Sequence, residues 1–127
     1  MQKIPKLIFI TLCLFISVHH SFAQTTAIRG KVTDTINQKN MQYAVISLLQ
    51  KSDSSLYKFI RADENGDFSL TGLPEGLFTV IISYPSYADY VEDIELKPGA
   101  DISLGNINLI NKSALLEEII IRQNNAM

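Results

Sequence analysis

Histidine and cysteine are almost absent from this chain, and where they stand decides much. The sequence has one cysteine, Cys13, and two histidines, His19 and His20. All three lie within the first 23 of 127 residues. There is no tryptophan, and no apolar run reaches the length of about 20 residues that a membrane-spanning helix needs. Basic clusters are missing as well: the charged residues are scattered and acids outnumber bases, 13 to 11.

The first segment explains why these scarcities matter. Lys3 and Lys6 precede an apolar run of twelve residues, Leu7 to Val18, and then the triplet Ser21-Phe22-Ala23. A charged start, an apolar middle and a small-x-small end is the layout of a cleaved secretory signal peptide. At about 1.5 Å per residue the run is too short to cross a hydrocarbon core of about 30 Å unaided. Leu12 stands before Cys13 inside that run, so no lipid attachment site of the bacterial type is expected. Residues 1–23 are therefore expected to be a signal peptide and cleavage to fall before Gln24.

Cleavage leaves residues 24–127, 104 in number (127 − 23), without cysteine or histidine. That composition excludes disulfides, thiolate and imidazole catalysis, and Cys/His zinc sites. Loss of Lys3 and Lys6 leaves 9 bases (11 − 2) against 13 acids, a net charge of −4. A mildly acidic domain with no basic cluster is not expected to bind nucleic acid. No catalytic, metal-binding or cofactor-binding residue is expected, and about 100 residues suffice for one small core.

Period-two alternation runs along the mature chain, broken at short intervals by turn residues, which favours an all-β sandwich. Seven strands are expected. Ile28, Gly30 and Val32 open the first, and a polar loop follows from Asp34 to Gln42. Ala44, Ile46 and Leu48 mark the second, whose outer face is also apolar at Val45 and Leu49. Leu56–Ala62 is the third, with its facing undecided. Asn65-Gly66 predicts a type I′ hairpin turn, in which both central residues take positive φ. Phe68 and Leu70 then point to the core, and Gly72 to Gly76 is a turn around Pro74. Phe78, Val80 and Ile82 line the longest apolar strand, which Pro85 ends. Tyr87–Leu96 carries four acids, and the last strand changes phase at Gly105-Asn106, which predicts a bulge.

The tail, Leu115 to Ile121, reads either as a helical start or as an extended strip. Its three consecutive isoleucines favour the extended form. An extended apolar strip seeks a partner strand, so Glu117, Glu118, Ile119, Ile120 and Ile121 are a candidate partner-strand segment.

Four local features invite chemistry and are better explained by structure. Asp63-Glu64-Asn65-Gly66-Asp67 is acidic enough for calcium but lacks the longer ligand run of such a loop, and reads as a turn. Lys31 alternates out of the core face and so lacks the burial an isopeptide bond needs. Tyr84, Tyr87 and Tyr90 read as packing residues with wet hydroxyls rather than a carbohydrate platform. Asp89, Glu92, Asp93 and Glu95 read as a solvated, charge-protected face rather than an acid/base pair.

A set of these residues resembles the carboxypeptidase-regulatory-like domain: Gly30-x-Val32-x-Asp34, Asp63-x-x-Gly66-x-Phe68-x-Leu70, Leu73-Pro74-x-Gly76-x-Phe78-x-Val80, and Tyr84-Pro85-Ser86-Tyr87. The resemblance covers roughly residues 27–110. It implies a seven-stranded transthyretin-like (prealbumin-like) sandwich over 24–110, with structural signature residues Gly30, Val32, Asp34, Asn65, Gly66, Phe68, Leu73, Pro74, Gly76 and Phe78. The loop Asp34–Gln42 departs from the family, having neither the glycine nor the proline usual there.

Such domains often precede the plug of TonB-dependent outer-membrane receptors, and Leu116-Glu117-Glu118-Ile119-Ile120-Ile121 resembles the link that precedes that plug, which implies a linker over residues 111–127. The resemblance therefore implies an exported, periplasmic or outer-membrane location. Its implied partners are proteins of the periplasm, such as a plug and barrel or an energising complex. A barrel of at least eight strands does not fit in this length, so the chain reads as a truncated product, a fragment or a free-standing domain. A secreted binding module for protein or carbohydrate, and a structural spacer, are the alternatives.

Overall fold

The computed structural model describes residues 26–125, so the expected signal peptide, with Cys13, His19 and His20, lies outside the described residues. Eight strands and one helix follow in order: β1 Thr26–Asp34, β2 Lys39–Asn40, β3 Val45–Gln50, β4 Leu56–Arg61, β5 Asp67–Leu73, β6 Gly76–Ser83, β7 Tyr90–Leu96, β8 Asp101–Asn108, and α1 Lys112–Asn125. Seven of the strands are those expected. The eighth, β2, is a two-residue strand inside the loop read as polar, paired through Thr33↔Asn40 and Asp34↔Lys39.

Two four-stranded sheets face each other. In the first, β1 is central, with β8 on one side and β5 and then β2 along the other. In the second the order is β4-β3-β6-β7, antiparallel throughout. The β1–β8 pair is parallel, and its register jumps from Arg29↔Ser103 to Lys31↔Asn106. One extra residue of β8 is accommodated there, beside Gly105 at φ 66°, which is the expected bulge.

Alternation decides what fills the space between the sheets. Ile28, Val32, Ile46, Leu48, Leu70, Val80 and Ile82 are fully buried, joined by Phe68, Phe78, Ile107 and Leu109. Met41 is also fully buried, although it sits in the loop expected to be polar. It substitutes for the turn residues that loop lacks, because an apolar anchor pins the segment to the core.

The Asn65-Gly66 turn corrects an expectation. Gly66 has φ 82°, but Asn65 is not in the left-handed region, so the turn is not type I′. Nor does it close a hairpin, because β4 pairs with β3 and β5 with β1. The loop carries the chain from one sheet to the other. The Asp63 carboxylate accepts the backbone N–H groups of Asn65 and Asp67, each at 2.9 Å, and the Asp63 carbonyl accepts that of Gly66 at 3.1 Å. This local bonding replaces the ladder a hairpin would supply.

Of the two forms open to the tail the structure takes the helical one, Lys112–Asn125, against the extended form that its isoleucines favour. The Asn111 side chain accepts the Ser113 N–H at 2.8 Å and caps the helix, and Glu118 pairs with Arg122 one turn on. With no strand beside it, the segment satisfies its backbone groups internally, and the Leu-Leu-Glu-Glu run favours helix enough to outweigh the isoleucines.

Candidate functional site

The signature residues converge on folding tasks. A Cβ on Gly30 would meet the Phe68 ring at 2.7 Å, so glycine there makes room for that ring. A Cβ on Gly66 would lie 2.3 Å from the Val32 carbonyl oxygen, and the Gly66 carbonyl accepts the Val32 N–H at 2.8 Å. Gly66 thus docks the sheet-to-sheet loop onto β1. Val32, Phe68, Leu73 and Phe78 are buried, whereas Asn65 and Pro74 are exposed loop positions and Gly76 is the exposed first residue of β6.

Asp34 is the one buried acid among the described residues, 2% exposed. Four donors converge on it: the Tyr87 hydroxyl at 2.5 Å, the Asn37 side chain at 2.9 Å, and the N–H groups of Ile36 and Asn37 at 3.0 and 3.1 Å. These bonds, led by that of Tyr87 and then those of Asn37, hold the carboxyl down at about 2. The same bond to Asp34, with burial second, pushes the Tyr87 phenol up. Every strong acceptor position of Asp34 is occupied, so it ties the β1–β2 loop to the β6–β7 loop. Tyr87 in turn bridges Asn111, and the Ser86 carbonyl accepts the Lys112 N–H at 2.9 Å, which roots α1 on that loop. Sequence reading placed Asp34 in the signature and read Tyr87 as a packing residue with a wet hydroxyl, and so missed that they bond each other. The separation of 53 positions left no local signal.

The remaining candidates for chemistry are dispersed. Tyr87 is buried and Tyr84 stands edge-on to it at 5.5 Å, under Lys39, so these rings are engaged rather than laid out as a platform. The Tyr90 hydroxyl donates to Glu92, which pushes the phenol up to about 12. Asp93 accepts from Lys51 and Thr79, which hold its carboxyl below the usual range. No group of three or more acids, histidines or cysteines among the described residues is placed to hold a metal. The buried polar residues described are Thr26 and Asp34, so Lys31, which is half-buried, faces no buried asparagine. A groove of about 430 Å³ beside Lys51, Pro74, Glu75 and Leu77 is open to solvent.

Two surfaces stand out instead. The face of the second sheet turned away from the core carries Leu56, Phe59, Leu77 and Val91, each more than half exposed. On α1, Leu116, Ile120 and Ile121 are 60%, 56% and 60% exposed, and no residue of the helix is buried. Glu117, Glu118, Ile119, Ile120 and Ile121, the expected partner-strand segment, all lie on this uncovered helix.

Residues 27–110 match the family described as carboxypeptidase regulatory-like domain. No curated protein matches significantly. Among solved structures, the fold is similar to the Bacillus anthracis TIE protein, at 14% identity and a TM-score of 0.57, over 68% of this chain and 17% of that one. It is also similar to BcpA, the major pilin subunit of Bacillus cereus, at 15% identity and 0.54, over 69% and 30%. Wild-type catechol 1,2 dioxygenase of Acinetobacter radioresistens shares the fold at 14% identity and 0.51, over 69% and 52%. The chain thus spans well under two thirds of each of these proteins.

Proposed function

Because this chain belongs to the carboxypeptidase regulatory-like domain family, we propose that it is a non-catalytic accessory domain of a TonB-dependent outer-membrane receptor. It is exported by residues 1–23 and works in the periplasm. The sandwich, residues 24–110, presents residues 111–127 as a link to protein partners there, the plug and barrel or the energising complex. Helix α1 unfolds cheaply, since none of its residues is buried, and segment Glu117–Ile121 is the contact strip.

One observation carries this reading. Within the family match, the buried acid Asp34 is consumed by the fold itself, while the uncovered apolar strip lies just beyond it on α1. A scaffold that spends its buried acid on itself and offers a strip beside its end is suited to presentation rather than catalysis.

Reading the gene past the codon for Met127 tests it. An open frame running on into a plug and barrel is the expected result. A stop there, with a soluble secreted product, contradicts the receptor reading and leaves a free-standing binding module or spacer.

A further inference from the structure

The outer face of the second sheet supports an inference independent of the receptor reading. Register fixes which side chains share that face. Phe59, Ser47, Ile81 and Val91 lie opposite one another in a single row across all four strands. Phe59 and Val91, at its two ends, are 57% and 59% exposed, and Ile81 between them is half-buried. On one side of this row stand Leu49, Thr79 and Asp93. On the other stand Arg61, Val45 and Ser83, and Asp89 lies two residues before Val91, just ahead of β7.

The charges on this face are arranged unevenly. Asp93 is already neutralised by Lys51. Like Glu95 at the far end of β7, Arg61 and Asp89 have no ion-pair partner among the described residues, and both are exposed. They sit at the same end of the face but on opposite edge strands. Three strand spacings of about 4.8 Å separate them, too far to pair within one molecule.

A twofold axis running along the strands brings β4 of one molecule over β7 of another. Phe59 of one copy then meets Val91 of the other, and Ile81 lies near the axis. The same operation places Arg61 of each copy against Asp89 of its mate, twice. We infer that this face is a self-complementary docking surface for a second copy of this chain, packed sheet on sheet. Four strands of about seven residues give a face of roughly 440 Å² per copy. That lies in the size range of transient complexes, so association is weak and is reached at high local concentration. Exposed apolar rows of this kind are otherwise a liability, and a cover from a second copy removes it.

Sedimentation velocity of the full chain, from about 10 μM to about 1 mM, reads the association directly. A concentration-dependent dimer is expected. Phe59→Lys and Val91→Lys each weaken it at least about tenfold, with an unchanged melting transition showing that the fold is intact. Arg61→Glu alone and Asp89→Arg alone weaken it, and the two together in one chain restore it. A chain that stays monomeric at about 1 mM overturns the inference, including the case in which another protein or detergent covers the face. So does a dimer indifferent to Phe59→Lys and Val91→Lys, or a double charge reversal no better than either single one.

Discussion

At the residue scale, the fold depends on a few positions where backbone and side chain are held without alternative. Gly66 and Gly72 both have positive φ, 82° and 68°, yet only Gly66 has no room for a Cβ. Gly72→Ala should therefore cost about 1–2 kcal/mol, the left-handed penalty alone. Gly66→Ala should cost clearly more, about 3 kcal/mol or above, because the Val32 carbonyl must also move. Urea unfolding of the two variants separates these outcomes. Asp34 gives a pH-dependent counterpart. Its carboxyl is held at about 2 by Tyr87, Asn37 and the loop N–H groups, against about 3.9 in an unfolded chain. A depressed folded value means that the stabilisation is fully present above about 4 and is lost as pH falls from there toward about 2. Tyr87→Phe removes the strongest donor, so the carboxyl titrates nearer its ordinary value. Melting curves at a series of pH values should show a lower midpoint for the variant near pH 7, and a shallower further loss between about 4 and 2.

At the scale of elements, the sandwich and the helix are energetically separate. Helix α1 buries none of its residues and is attached through Asn111 and the Lys112 N–H. Truncation after Lys112 should leave the melting transition of the sandwich unchanged, within the roughly 0.5 kcal/mol typical of surface changes. Loss of several kilocalories would show that the helix packs on the sandwich in solution. The elements also show what was legible beforehand. Strands β3 and β5 to β8 could be read because their burial largely follows period two, β1 because Ile28, Gly30 and Val32 alternate with polar residues in the sequence, and the β8 bulge because Ile102 and Leu104 fall out of phase with Ile107 and Leu109. Strand β4 had no legible facing because it is an edge strand with apolar residues on both sides: Ile60 turns inward opposite Ile46, while Phe59 turns outward opposite Ser47. Asn65-Gly66 misled because a turn signal specifies local φ but not whether the flanking strands share a sheet. The isoleucines of α1 misled because strand propensity is expressed only where a partner strand is at hand. The Asp34–Tyr87 bond was illegible for want of any local pattern, and the apolar outer face was visible only in part, at Val45 and Leu49.

At the scale of the whole molecule, the buried acid Asp34 is bonded to the scaffold, and two partly apolar surfaces are left uncovered: one face of the second sheet and one helix. The two surfaces make separable claims. Failure of self-association would leave the receptor reading untouched, and a chain that proves free-standing could still pair through its outer face. The most direct measurement of the central claim is to fractionate the cell envelope and identify by mass spectrometry the protein that contains residues 26–125. The account predicts a product beginning at Gln24, in the outer membrane, with a mass far above that of residues 24–127. A soluble product ending at Met127, or one that retains residues 1–23, would contradict it.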